Sequence, residues 1–463
     1  MRSPSAIRST RIVTPEGVVD GLLVIRNGLI DAVIPADDAG PLLASAEDPG
    51  SQDPSTAVLD VGDLVVLPGL VDTHVHINEP GHTDWEGFEN ATMAAASGGV
   101  TTLVDMPLNS LPVTTTAEAL KLKLDAAAGK LHVDCGFYGG VVPGGAAELP
   151  DLLDAGVLGL KAFMVDSGLA EFPASGSREL SDALAALGPH GVPLLVHAEL
   201  AGPSPIPDDP GNYPQYAAGR PQSWEAAAVR VLIGLCREYA SPIHIVHLAA
   251  SACLPAIRRA RSEGLPLTVE TCPHYLYFES GSISHGSTLH KCAPPIRGAA
   301  NRERLREALA DGDIDFVASD HSPSPPEMKR LATGNLDQAW GGISSLGLSL
   351  PIMWSIFSSR PRGLESMANW LSAAPAALVG LADRGAIVPG RRADLVVWDP
   401  ARCQVLSADA LHCRHKLSPY VGETLWGQVS KTFLAGECVF ESDTSNHAHF
   451  LDRPRGKTIL RHA

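Results

Sequence analysis

Five short apolar runs in this chain each end in a side chain that can bind a metal or move a proton, and few folds accommodate that arrangement. Leu64-Val-Val-Leu-Pro-Gly-Leu-Val71 runs into Asp72-Thr-His74-Val-His76, and Leu158-Gly-Leu leads to Lys161. Leu194-Leu-Val ends at His197, Ile243-His-Ile-Val at His247, and Ile314-Asp-Phe-Val-Ala-Ser at Asp320. The runs are strand-like and alternate with helical segments, and a (β/α)8 barrel collects such residues at the carboxyl ends of its strands. The predicted fold is therefore α/β: a TIM-like barrel with one site on one face.

The His-x-His pair sets the chemistry. Side chains alternate faces along a strand, so His74 and His76 point to the same side. Two converging imidazoles suit a divalent metal, although the pair by itself is equally well read as two hydrogen-bonded histidines. The partners favour the metal. His74, His76 and Asp320 can hold one cation, and His197 with His247 a second. His244 competes with His247 on the same strand, and His247 is preferred because it lies nearer the carboxyl end. Lys161 is the odd member, since an ammonium beside divalent cations is repelled. Carboxylation by CO2 would make it an anionic carbamate able to bridge two ions. Spacing leaves open the alternative of a snorkelling lysine beside a single metal.

At 463 residues the chain exceeds the roughly 250 that a barrel needs. The expected division is a barrel over 67–382 and a small β-sandwich built from both chain ends, 1–66 and 383–463. Asn27-Gly28 is a hairpin signal inside the strand-rich amino-terminal segment, and the runs 385–398 and 429–439 return to hairpin composition. Residues 35–57, rich in Pro, Ser, Ala and acid, are expected to form a mobile surface loop.

Composition excludes some classes of partner. A formal charge of -17 argues against nucleic acid and against an anionic membrane surface. Hydrophobic residues at 45% with mean hydropathy +0.07 can fill a large core, yet no apolar run reaches membrane-spanning length. The eight cysteines show no Cys-x-x-Cys pairing, and Met1-Arg-Ser-Pro-Ser has no apolar leader core, so a cytoplasmic protein with reduced thiols is expected.

The motifs carry a resemblance. From Asp60 through the His-x-His pair to Gly390-Arg-Arg-Ala-Asp-Leu-Val396, the chain is similar to the cyclic amidohydrolases of the amidohydrolase superfamily. His74-Val-His-Ile-Asn-Glu-Pro-Gly81, Trp85-Glu-Gly-Phe88, Asp105-Met-Pro-Leu-Asn-Ser110, Lys161-Ala-Phe163, Lys291-Cys-Ala-Pro-Pro-Ile-Arg297, Ala318-Ser-Asp-His-Ser-Pro323 and Ala339-Trp-Gly-Gly-Ile343 look like the allantoinase branch. The resemblance implies a binuclear centre, with zinc as the expected metal, bridged by N6-carboxylated Lys161 and held by His74, His76, His197, His247 and Asp320. Cobalt, nickel or manganese would also suit those ligands. It further implies Asp320 as general base, allantoin as the small-molecule substrate, allantoate as product in purine breakdown, and a homo-oligomer.

Departures refine the expectation. Dihydroorotases carry an arginine where this chain has Asn78, so a neutral substrate is favoured. The serine of the hydantoinase Cys-Ser-Pro-Pro motif is Ala293 here. Asn109, Ala293, Gly341 and Gly342 are candidate substrate-facing positions, with simple turn residues as the plainer reading. A hydantoinase or dihydropyrimidinase acting on another cyclic ureide is the alternative activity. A non-catalytic scaffold is the remaining class, although such relatives are expected to lose ligands and every position here is filled.

Overall fold

The structure is a computed structural model that describes residues 4–40, 57–442 and 447–461. Eight parallel barrel strands run in chain order: β1 (Leu70–Val75), β2 (Val100–Asp105), β3 (Asp134–Phe137), β4 (Leu160–Phe163), β5 (Leu194–His197), β6 (Ile243–Ile245), β7 (Leu267–Thr271) and β8 (Phe316–Val317). Each pairs with its neighbour, β3 reaching β4 through Gly139–Gly140. The ring closes where Val75 bridges His321 and the His76 amide donates to the His321 carbonyl at 2.8 Å. Helices such as Phe88–Ser97, Ala117–Ala127, Gln222–Tyr239 and Ala299–Asp311 follow the strands. The apolar stripe of Gln222–Tyr239 (Ala228, Val229, Leu232, Ile233, Leu235, Cys236) is buried in the main core. The expected barrel is present.

Both chain ends build the second layer. Strands from the amino-terminal segment and from residues 395–450 hydrogen-bond into one nine-stranded sheet, joined where Val65–Pro68 lies antiparallel to Leu395–Val405. Ile7, Leu23, Ile25, Val66, Leu395, Val397 and Phe433 form a core of their own on this sheet. Alternate residues, Val65, Leu67, Val396 and Trp398, belong to the main core, as period-two alternation requires.

The carboxyl-terminal segment departs from that sheet. Thr458–Ile459 lies parallel to Cys135 and Gly136 of β3, and the Arg461 amide donates to the Gly156 carbonyl. Nearby, buried Asp134 accepts from Arg384 (2.9 Å), Arg392 (3.0 Å) and the Lys457 amide (2.9 Å), tying barrel, sheet and terminus together. Of the loop expected over 35–57, Ala36–Asp38 forms a single short turn and residues 41–56 lie outside the described residues. Among the described residues no helix is long and apolar enough to cross a membrane.

Candidate metal centre and substrate cleft

Five of the six candidate ligands lie at or just past the carboxyl ends of barrel strands, and Lys161 projects from within β4 (Leu160–Phe163). Nε2 of His74 is 3.2 Å and Nε2 of His76 3.5 Å from the same carboxylate oxygen, Oδ1 of Asp320. Donor atoms of the three residues fall within 4.8 Å of one another, all buried. The ring of His247 sits 5.4 Å from that of His74 and 4.6 Å from that of His197, so the two halves of the donor set share one space. Asp320 and His247 hold φ of +46° and +40°. Left-handed backbone at such residues costs of order 1 kcal/mol each and is kept where the surroundings over-determine it, commonly at functional sites.

Lys161 is fully buried, and its Nζ has no hydrogen-bond partner among the described residues. Burial pushes the amine down to about 8, with Glu270 and Asp320 offsetting part of the penalty. Its charge is felt by His76, His197 and His247 alike, which places it beside both halves of the donor set. An orphaned buried amine is expensive, so a native lysine in this position implies an occupant that uses it.

Electrostatics put the donors in ligating form. Burial lowers His76 to about 4, lowers His197, and drives His247 well below the usual imidazole range. Burial alone would raise Asp320, but charge on His74, the hydrogen bond from His76 and charge on His247 together hold it far below the usual carboxylate range. Imidazoles of His76, His197 and His247 that burial keeps neutral, the ionised carboxylate of Asp320 and a buried amine form a set that fits divalent cations.

A ring of supporting groups went unnoticed in the sequence. Nδ1 of His74 is paired with Glu270, which also meets Nε2 of His244 (3.1 Å) and the His247 amide (3.3 Å). His244 thus faces Glu270, with its other nitrogen on Thr268 at 2.8 Å, and the two strand-6 histidines divide the work. Nε2 of His197 meets Glu199 at 2.9 Å, and Glu199 is also bound by Arg220. Asp72 accepts from the backbone of His74 (3.2 Å) and Ser319 (3.1 Å). A carboxylate two residues after His197, and one next to the last residue of β7, are the available signals. His321 accepts from the amides of Ser345 and Leu346 at 3.1 Å, a structural role. Cys272 and His274 also come within ligand reach of Asp320.

The donors open into a cleft of about 430 Å³. Asn109, Ala293, Gly341 and Gly342, the substrate-facing candidates, all line it. Asn109 has φ of +67° and its Nδ2 is 3.4 Å from Nδ1 of His76. Gly342 has φ of +121°, and a Cβ there would run into the Ser322 carbonyl, so only glycine fits. The buried amine of Lys329 donates to the carbonyls of Trp340 (3.3 Å) and Gly342 (2.6 Å), holding this loop over the cleft. Asn78 is buried near Pro323, with its Nδ2 3.4 Å from that carbonyl. A separate hollow of about 510 Å³ beside Leu406, His412 and Phe440 contains none of the candidate ligands.

Comparisons with known proteins agree with this geometry. A model of the amidohydrolase family matches residues 65–207 and 225–439. The chain is 46% identical over 451 residues to the allantoinase of Arabidopsis thaliana, covering 94% of this chain and 87% of that protein. It is 45% identical over 459 residues to the allantoinase of Streptomyces avermitilis, covering 98% of both. Among solved structures, the L-hydantoinase (dihydropyrimidinase) of Arthrobacter aurescens superposes with a TM-score of 0.88 at 28% identity, covering 99% of this chain and 100% of that one. A single barrel face holding two histidines from β1, the ends of β4, β5, β6 and β8, and a sequence match across most of the length lead to one assignment: the chain belongs to the amidohydrolase family.

Proposed function

We propose that this protein is a metal-dependent cyclic amide hydrolase that opens the hydantoin ring of allantoin to give allantoate. The ring preference is supported by full-length similarity to allantoinases of plant, yeast and bacterial origin at 36–46% identity. The metal reading rests on one observation above all, the buried and unpartnered amine of Lys161 amid four histidines and Asp320.

In this reading His74, His76 and Asp320 would hold one cation and His197 with His247 a second, and N6-carboxylated Lys161 would supply an anionic ligand to both. The carbamate converts an amine that burial disfavours as a cation into an anion with two donor oxygens. Bound zinc ions would make water at the site more acidic and polarise the ring carbonyl. Asp320, ionised and accessible from the cleft, takes the proton of the attacking water and returns it to the departing ring nitrogen. Glu270 and Glu199 fix the tautomers of His74 and His197 by accepting from the ring nitrogens opposite the metal side. Asn109, Ala293, Gly341 and Gly342 shape the ring pocket, and the absence of a cation at Asn78 suits a neutral substrate.

The accompanying proposals are a barrel unit over 67–382, a sheet unit from 1–66 and 383–463, and a homo-oligomeric cytoplasmic enzyme. The eight unpaired cysteines suit a reducing compartment. The test is metal analysis of the purified protein together with an allantoin-to-allantoate assay before and after chelation. About two equivalents of metal, activity lost on chelation and regained with zinc, and slower turnover of hydantoin and dihydrouracil are expected. Faster turnover of either of those rings would reassign the substrate.

A further inference from the structure

Two cations stand on one wall of the substrate cleft, although the chain as a whole carries a formal charge of -17. Arg220 is bound to Glu199 through Nε (3.3 Å) and Nη2, while its Nη1 meets no hydrogen-bond partner among the described residues. Lys291 donates to the carbonyls of Ala339 (2.7 Å) and Asp337 (3.4 Å), which occupies two of its three protons. The Lys291 ammonium lies 5.6 Å from the ring centroid of Tyr216, whose own ionisation is affected by the Arg220 charge, so both cations border the same tyrosine. Burial lowers Lys291, Asp337 offsets this in part, and the Arg220 charge adds to the lowering, which records the mutual repulsion. Arg220, whose guanidinium also lies over the Trp224 ring, and Lys291 both line the cleft and keep donor protons unused, so an acceptor entering it can receive charge-assisted hydrogen bonds from them.

Position narrows the acceptor. The scissile amide must reach Asp320 and the histidines, whereas Arg220 lies one carboxylate away from them, because Glu199 spans from Arg220 to Nε2 of His197. The group sought is therefore a substituent attached to the ring, carrying a strong acceptor without a negative charge of its own. A ureido arm has that chemistry, with a carbonyl oxygen of high basicity and N–H groups that can face acidic or carbonyl partners. Asp166 and Asp337 line the same cleft.

Resting on the allantoin reading above, we propose that Nη1 of Arg220 and Nζ of Lys291 together bind the exocyclic ureido carbonyl of the substrate, making this pair the determinant that separates a ureido-bearing hydantoin from the bare ring. Binding at Arg220 is also relayed through Glu199 to His197, so correct seating of the arm steadies a metal-side histidine.

Steady-state kinetics on Lys291→Met, Lys291→Arg and Arg220→Lys test this, using allantoin as substrate and unsubstituted hydantoin as competing ligand in the same assay. Lys291→Met should lower kcat/KM for allantoin by about tenfold to a hundredfold, chiefly through KM, as loss of a charged hydrogen bond made equally in ground and transition states would. The inhibition constant of hydantoin should stay within about twofold, Lys291→Arg should recover most of the loss, and Arg220→Lys should show the same selectivity shift. Equal weakening of both ligands would show that Lys291 only anchors the 337–342 loop, and an unchanged allantoin KM would show that it touches nothing; either overturns the subsite. Failure of the unaltered protein to hydrolyse allantoin would instead overturn the reaction itself.

Discussion

Nδ1 of His74 and Oε1 of Glu270 lie 2.5 Å apart, both fully buried. This contact commits the Nδ1 side of the imidazole to the carboxylate and turns Nε2, its remaining lone pair, toward Asp320. Glu270 repeats the service for His244 and for the backbone of His247, so one glutamate at the end of β7 orients groups from β1 and β6. Glu270→Gln should therefore weaken metal retention by about tenfold to a hundredfold while leaving the barrel folded. Metal content after dialysis against graded chelator, with circular dichroism as the control, measures both halves of that expectation.

Asp320→Asn keeps an oxygen donor for the metal but removes the proton acceptor. The variant should retain part of its metal and lose turnover by about a hundredfold or more. Near-normal kcat in a metal-replete sample would take Asp320 out of the proton-transfer role.

The Lys161 amine has no hydrogen-bond partner among the described residues, and a carbamate on it would form by addition of CO2. Chelated protein reconstituted with zinc in CO2-free buffer should recover slowly and incompletely, and added bicarbonate should speed recovery severalfold. Lys161→Ala should lose nearly all activity in either buffer. Equal recovery with and without bicarbonate would favour an unmodified lysine.

Glu199 sets an acid limit. Burial would raise its pKa, yet the hydrogen bond from His197 and the Arg220 charge outweigh it and hold the carboxyl at about 2 against an ordinary 4.5. A carboxyl lowered on folding stabilises fully above its unfolded value, and the contribution fades as pH falls from about 4.5 toward 2. Glu199→Gln should cost about 1.5–3 kcal/mol in metal-free protein at pH 7, with the gap to wild type narrowed at pH 3. Urea denaturation at the two pH values reads the difference. A gap that stays constant would show that ionisation of Glu199 contributes nothing.

Much of the candidate site is legible in the sequence. His74, His76, Lys161, His197, His247 and Asp320 stood out because each ends an apolar run, and strand periodicity plus barrel geometry sends such residues to one face. Strand position by itself favours His247 over His244, and packing adds what His244 does instead, stacking on Phe316 and binding Glu270. The supporting carboxylates escaped for a related reason: Glu270 and Glu199 act through partners up to 196 residues away, which local pattern cannot reveal.

What the sequence by itself determined is the alternation of strand and helix, the residue types at the candidate ligand positions and the acidic balance, because these depend on residue type and local period. What only the tertiary structure decided is which group each histidine nitrogen meets, that the Lys161 amine is buried without a hydrogen-bond partner among the described residues, and that Arg220 and Lys291 line one cleft. Those facts depend on distances between residues remote in the chain, and such distances exist only once the barrel has closed.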